Sequence, residues 1–226
     1  MTEAEWLDCT RPEPMLQFLR GKVSKRKLRL FACGCCRRIW RLLTHERSRR
    51  AVEAAERFAD GRASKAELAS FWVELDDLPF HSEQEVPSYA ATYAARGSAW
   101  SAASSVPREA ASEEAYSAVH SKYWDWRREE VLSATEQGQA ALLRCLFGNP
   151  FHPPPPLPDA VLAWNDGTVG RIARSIYDEQ AFDRMPILAD ALLDAGCDDE
   201  DQIAHCRSAG PHVRGCWAVD LILGKE

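Results

Sequence analysis

Four residues near the two ends of the chain have the types and spacing of a metal site. Cys33 and Cys36 are three residues apart, and His212 and Cys216 are four residues apart. On α-helices both spacings place the two side chains on one face. Two such helices packed together bring three sulfurs and one imidazole around a single tetrahedral ion, which is the geometry that zinc prefers. The sequence therefore predicts these four residues as zinc ligands, with His205 and Cys206 as neighbouring substitutes.

Two other interpretations of these residues stay open. Free cysteine is among the most buried residue types and often only fills a core. Cys216 is alternatively a nucleophile, because a helix N-terminus is predicted close by and lowers a thiol pKa, and His212 is one turn away. No orienting third group and no GxSxG, HExxH, P-loop or dinucleotide motif accompanies them. A cysteine-dependent enzyme is therefore the weakest interpretation, and no catalytic residue is assigned.

Positive charge is concentrated between Arg20 and Arg50, where twelve lysines and arginines accompany one acid, Glu46. The whole chain has a net charge of −6, so the remainder is strongly acidic. A basic stretch can bind nucleic-acid phosphates. The candidate contacts are Lys25, Arg26, Lys27, Arg37, Arg38 and Arg41. The stretch is also very apolar, which favours ion pairs with acidic helices of the same chain.

One predicted helix, from Ser24 to Leu43, holds Cys33, Cys36 and most of these basic residues. Ser24 can cap it, and apolar residues recur at three- and four-residue steps from Leu28 to Leu43. The wide apolar arc is typical of a helix with neighbours on several sides. Elsewhere helix starts and stops recur without a strand pattern. The sequence predicts an all-α multi-helix bundle built around this central helix, near residues 25–43.

A proline-rich segment, residues 148–158 (GNPFHPPPPLP), predicts an extended connector, because proline fixes φ and removes backbone donors. It separates an N-terminal helical bundle, residues 1–147, from a C-terminal helical segment, residues 159–226. We expect the second segment to pack back on the bundle as one compact unit. A loop is expected at residues 78–87, Pro107 is expected to end a helix, and Pro211 is expected to open a last helix through Leu223.

Composition limits the class of protein. A chain of 226 residues with 46% hydrophobic residues can bury a core. No run of 18 apolar residues suggests a membrane span, and the N-terminus lacks a signal-peptide pattern. We therefore expect a cytoplasmic protein without a membrane partner, whose eight cysteines stay reduced.

Long matching strings give the chain a resemblance to a family of uncharacterised bacterial proteins. The strings are TEAEWL, FACGCCRRIW, GNPF, YDEQAFDRMPILADAL and HVRGCWAVDLILGKE. The resemblance covers nearly the whole chain except the alanine-rich middle. Where this chain has Gly34, the family more often has alanine, a better helix former. The resemblance implies a shared framework that includes both cysteine-bearing segments, and it implies no activity.

The patterns together favour a non-enzymatic helical interaction or regulatory module that binds a protein partner. This expectation rests on the lack of a catalytic signature. The alternative is a nucleic-acid-associated helical protein stabilised by zinc, and the cysteine-dependent enzyme comes third.

Overall fold

A computed structural model describes residues 1–76, 88–118 and 126–225. These residues form helices and no strand, which confirms the all-α prediction. The chain divides into two compact units, Met1–Leu143 and Arg144–Glu226. The division falls inside a helix, four residues ahead of the predicted boundary. The expected packing of the C-terminal segment on the bundle stays a prediction, and the loop expected at 78–87 lies outside the described residues.

The described helices are distributed over both units. Those of the first unit are α1 (Glu3–Asp8), α2 (Pro12–Leu19), α3 (Lys25–Arg38), α4 (Glu46–Ala59), α5 (Lys65–Asp76), α6 (Tyr89–Ala94), α7 (Ala99–Ala118) and α8 (Trp126–Phe147), whose last turn belongs to the second unit. Those of the second unit are α9 (Asp159–Glu179), α10 (Met185–Asp194), α11 (Glu200–Arg207) and α12 (Trp217–Leu223).

Helix α3 is the central element of the first unit, as the sequence predicted. The Ser24 hydroxyl accepts a hydrogen bond from the Lys27 N–H at 3.2 Å, which caps the helix. Nine consecutive residues, 28 to 36, are buried, and the helix packs against α4, α6 and α7. The α-helix ends at Arg38, and a 3₁₀ turn follows. The predicted end at Leu43 was too late, because this turn keeps Leu43 in the core and so continues the apolar pattern.

The short helix α6 is held at both ends by charged side chains. Arg29 is 2% exposed, and its guanidinium donates to three backbone carbonyl oxygens at and just beyond Ala94, at 2.8 to 3.0 Å. At the other end, the Glu113 carboxylate accepts from the Ser88 hydroxyl and the Ala90 N–H. A cation at the C-terminus and an anion at the N-terminus both interact favourably with the helix dipole. A helix of six residues is marginal by itself, so these two contacts stabilise it.

Pro107 lies inside α7, so the prediction that it ends a helix was wrong. Proline removes one backbone donor from the helix. The carbonyl oxygen of Pro107 accepts a hydrogen bond from Gln139 Nε2 at 2.8 Å, which joins α7 to α8. Ala102 and Ala103 on the preceding turn are fully buried, and α7 packs closely against α3 and α6. Packing of this helix therefore outweighs the local cost of the proline.

The second unit has its own apolar core, in which Tyr177, Leu188, Leu192 and Val219 are buried. Its last helix begins at Trp217, so the prediction of a helix from Pro211 was wrong at its start. Gly215 has φ +90°, a left-handed conformation that ends any helix entering from Pro211. His212 therefore precedes the helix.

The burial of Glu113 generates a pH prediction. Burial raises the pKa of its carboxyl above the ordinary value of 4.5, although hydrogen bonds from Ala90 and Ser88 oppose the shift. A raised pKa means that ionisation costs more in the folded chain than in the unfolded chain. The contribution of Glu113 to the free energy of unfolding therefore falls as pH rises above 4.5.

We predict that Glu113→Gln, which cannot ionise, becomes progressively more stable relative to the unmodified chain as pH rises. Urea denaturation at pH values from about 4 to about 8 measures the difference. Hydrogen bonds that the glutamine no longer makes to Ser88 and Ala90 change this stability difference by the same amount at every pH. The control is Glu129→Gln, an exposed glutamate of α8 that is not among the groups acting on Glu113, and it should show no such trend. A difference for Glu113→Gln that does not change with pH contradicts the prediction.

Candidate metal centre

Four metal-ligating side chains converge inside the second unit. They are Cys145, His205, His212 and Cys216, and their ligand atoms all lie within 4.8 Å of one another. His205 Nε2 is 3.1 Å from Cys216 Sγ, and His212 Nδ1 is 4.0 Å from Cys145 Sγ. Ligand atoms around a tetrahedral zinc ion are separated by roughly 3.3 to 3.8 Å, given the usual Zn–S and Zn–N bond lengths. The group can therefore hold a metal ion after shifts of a few tenths of an ångström to about 1 Å.

Three helix ends position these side chains. Cys145 lies in the last turn of α8, and His205 lies in the last turn of α11. His212 is in the segment between α11 and α12, and Cys216 is the residue that precedes the first turn of α12. The Cys216 thiol makes no capping hydrogen bond to that helix, because it points towards His205 instead.

The His212 ring is oriented by the backbone of Ser208. Its Nε2 lies 3.1 Å from the Ser208 carbonyl oxygen, which can only accept, so Nε2 carries the hydrogen. The lone pair of Nδ1 then faces the cluster. Metal-binding histidines usually donate their second N–H to a backbone carbonyl or carboxylate in this manner. The Ser208 hydroxyl donates to the His205 carbonyl oxygen at 2.8 Å and so fixes the turn that separates the two histidines.

The two imidazole rings lie against each other, and one of them lies against the Trp217 indole. The His205 ring lies edge-on to the His212 ring, with 4.9 Å between centroids, and its centroid is 5.1 Å from the Trp217 ring. Trp217 also lies over the backbone of Gly148, where an added Cβ would be 3.4 Å from the indole. The GNPF turn therefore packs against the residue that flanks the cluster. Both histidines are half-buried, while both cysteines are buried.

The pKa of Cys216 is shifted in the opposite direction from those of Cys33, Cys36 and Cys206. Burial by itself raises the pKa of Cys216, but hydrogen bonds involving Cys145, His205 and His212 outweigh burial and hold the pKa well below its ordinary value of 9.0. In contrast, burial raises the pKa of Cys33, Cys36 and Cys206. Metals bind the thiolate form, so Cys216 is suited to be a ligand.

The structure brings together only part of the predicted ligand set. His212 and Cys216 are in the cluster, and so is His205, which the sequence offered as a substitute. Cys33 and Cys36 lie in the first unit, on α3, where both are buried and Cys33 Sγ is 3.9 Å from the Val52 carbonyl oxygen. Their pairing with His212 and Cys216 stays a prediction. A tetrahedral ion needs four ligands, and the cluster supplies four without them.

Cys145 is the member that the sequence did not suggest. It follows a run of alanines and leucines in α8, so its surroundings indicate core packing. The only available signal was its place three residues before Gly148, close to the GNPF turn. The other two cysteines of the unit, Cys197 and Cys206, are buried in the core outside the cluster.

Of the predicted nucleic-acid contacts, several side chains form ion pairs within the first unit. Arg26 pairs with Asp60 at 3.2 Å, and Arg41 pairs with Glu114 at 3.4 Å. The remaining arginines differ in their surroundings. Arg37 forms a bidentate pair with Glu56, at 2.8 and 2.7 Å, whereas the exposed guanidinium of Arg38 lies against Gly138. Lys25 is exposed and Lys27 is half-buried.

No family model, no curated protein and no solved structure matches this chain. The resemblance to the uncharacterised bacterial family therefore stays a prediction. No described helix is both long and apolar enough to cross a membrane.

The burial of Cys216 generates a prediction about thiol reactivity. A thiolate reacts with alkylating agents only where the agent can reach it, and Cys216 is 0% exposed. Cys9 is half-buried, whereas the other seven cysteines are buried. We predict that N-ethylmaleimide labels Cys9 in the folded chain and labels Cys216 only in denaturant, as measured by mass spectrometry of peptides. Labelling of Cys216 at the rate of Cys9 in the folded chain contradicts this and supports the cysteine-dependent enzyme.

Proposed function

We propose that the chain is a non-enzymatic helical module that binds a protein partner, and that one structural zinc ion stabilises its second unit. Cys145, His205, His212 and Cys216 hold the ion in this proposal. The observation that carries it is the approach of four ligand atoms to within 4.8 Å of one another. A zinc ion would coordinate all four atoms at once, in place of the hydrogen bonds that the thiols and imidazoles otherwise make with one another.

The donor set favours zinc among the common metals. Two sulfurs and two imidazole nitrogens form a standard structural zinc set, whereas magnesium and calcium prefer oxygen ligands. The Ser208 carbonyl holds His212 in the tautomer that such a site requires. A structural ion adds directly to the free energy of unfolding, because the unfolded chain does not hold the four ligands in place.

A structural role is favoured over a catalytic one by the number of ligands. Catalytic zinc sites keep one position open for water or substrate, while structural sites are closed by four protein ligands. Here four side chains supply four donors, and the two sulfurs are buried. The ion proposed here therefore has no vacant position for a substrate, which supports a module that acts through its surface.

We predict that the purified chain contains about one zinc ion per molecule. Cys216→Ser should lose most of the metal, because the serine hydroxyl is a poor zinc ligand at neutral pH. The matched control is Cys197→Ser, a buried cysteine of the same unit outside the cluster, which should keep the metal. Elemental analysis measures the content, and X-ray absorption should give about two Zn–S distances near 2.3 Å and two Zn–N distances of about 2.0–2.1 Å.

Removal of the ion gives a second readout of the same proposal. A strong chelator should lower the thermal midpoint of the unmodified chain and leave that of Cys216→Ser unchanged. A ligand present at about 1,000 times its Kd stabilises the folded state by about 4 kcal/mol. A metal-free chain joined by a Cys145–Cys216 disulfide, or zinc retained by Cys216→Ser, contradicts the proposal.

Nucleic-acid association is the alternative function, and the ion pairs of the basic stretch weigh against it. Because Arg26, Arg37 and Arg41 already face carboxylates, less positive charge is left for phosphates. We predict that the chain binds DNA and RNA more weakly than about 10⁻⁶ M at physiological salt, which is the range of non-specific binding. Fluorescence anisotropy at several salt concentrations measures this, and submicromolar binding would favour the alternative.

A further inference from the structure

The first unit encloses a cavity of about 660 Å³ between α2, α6, α7 and α8. Small-molecule sites usually have volumes of about 300 to 1,000 Å³ and combine apolar walls with a few convergent polar groups. Leu16, Trp100 and Leu132 contribute apolar surface to this wall. The wall also holds three arginines, Arg11, Arg108 and Arg128, and three glutamates, Glu13, Glu109 and Glu136. The metal cluster lies in the second unit, and the proposed zinc ion does not use this cavity.

Gln139 lies in the wall of the cavity with half of its amide unsatisfied. The residue is 1% exposed, and its Nε2 donates to the Pro107 carbonyl oxygen at 2.8 Å. That oxygen can only accept, so the orientation of the amide is fixed. Within the described residues, the Gln139 Oε1 atom has no hydrogen-bond partner. Buried polar groups almost always have one, so the wall presents an acceptor suited to a donor that inserts from the cavity.

Besides the Gln139 acceptor, the arginines in the wall offer positive charge to a ligand. Arg11 and Arg108 form exposed ion pairs with neighbouring glutamates at 3.2 to 3.9 Å. Such pairs contribute little to stability and can be exchanged for a ligand. In the part of the chain that the structure describes, the exposed Arg128 guanidinium has no ion pair. A guanidinium binds carboxylate or phosphate oxygens in a bidentate manner.

We propose that this cavity binds a small organic anion with a flat ring that carries an N–H. The ring N–H donates to Gln139 Oε1, the ring body contacts Trp100 and Leu132, and the anionic group pairs with Arg128. Carboxylates and phosphates share this chemistry. The experiment therefore uses one probe of each kind, indole-3-acetate and guanosine monophosphate, and the tighter binder identifies the anionic group.

Isothermal titration calorimetry of the full chain measures the binding. At least one probe should bind with a Kd below about 1 mM. If indole-3-acetate is the probe that binds, its 1-methyl analogue, which lacks the N–H, should bind about tenfold more weakly, as expected for one lost hydrogen bond to a buried group. If guanosine monophosphate is the probe that binds, its N1-methyl analogue, which lacks the ring N–H, gives the same comparison. Gln139→Met tests the contact from the protein side, and the methylated probes keep the test decisive where that variant does not fold.

Arg128→Gln should weaken binding of the active probe by about tenfold, because a charge-assisted hydrogen bond is lost. The matched control is Arg47→Gln, an exposed arginine of α4 outside the cavity wall, which should bind as the unmodified chain does. The proposal is overturned if neither probe binds at 1 mM. It is equally overturned if the Arg128 variant binds as tightly as the unmodified chain, or if binding is indifferent to loss of the ring N–H and of the Gln139 amide.

Discussion

The arrangement of the second unit depends on the close approach of two sulfurs and two imidazoles. Cys145, His205 and Cys216 come from the ends of three helices, and His212 comes from the segment between two of them. The Cys216 side chain leaves α12 without a side-chain cap, whereas the C-terminal ends of α8 and α11 keep backbone capping hydrogen bonds. The thiols and imidazoles can hydrogen-bond to one another at these distances, and a cation between them would satisfy all four ligand atoms together. The positions of α11 and α12 are therefore best understood through what the cluster can bind.

In the first unit, two buried charged side chains stabilise a short helix. A buried arginine normally needs a carboxylate, yet Arg29 is satisfied by three carbonyl oxygens at the end of α6. Glu113 does the equivalent at the start of that helix. The two charged groups act at opposite ends of α6, and each interacts favourably with the dipole of this six-residue helix. This explains how an alanine-rich helix too short to be stable alone is held beside the central helix.

The features predicted correctly from the sequence are those whose signal lies in residues close together along the chain. The helix after Ser24 was predicted because its cap and apolar period depend on neighbours within the same segment, and His212 and Cys216 were found as a pair for a similar reason. Cys145 was missed because it lies 60 residues before His205 among apolar residues of α8. Two helix predictions were wrong in opposite ways: a helix continues through Pro107, where an end was expected, and no helix runs through Gly215, where one was expected. Packing against α3 and α6 overrides the proline, whereas the left-handed conformation of the glycine ends a helix that side-chain spacing alone would have allowed.

The spacing of the cluster along the chain has a consequence for the order of assembly. His205, His212 and Cys216 lie within twelve residues, whereas Cys145 is far upstream. A metal ion can thus be captured first by a short local segment, at little cost in chain entropy. Recruitment of Cys145 then closes a loop of about 70 residues, and the entropy lost in such a closure grows only slowly with loop length. The ion proposed here would act as a reversible cross-link between α8 and a short C-terminal segment, with α9 and α10 inside the loop that it closes.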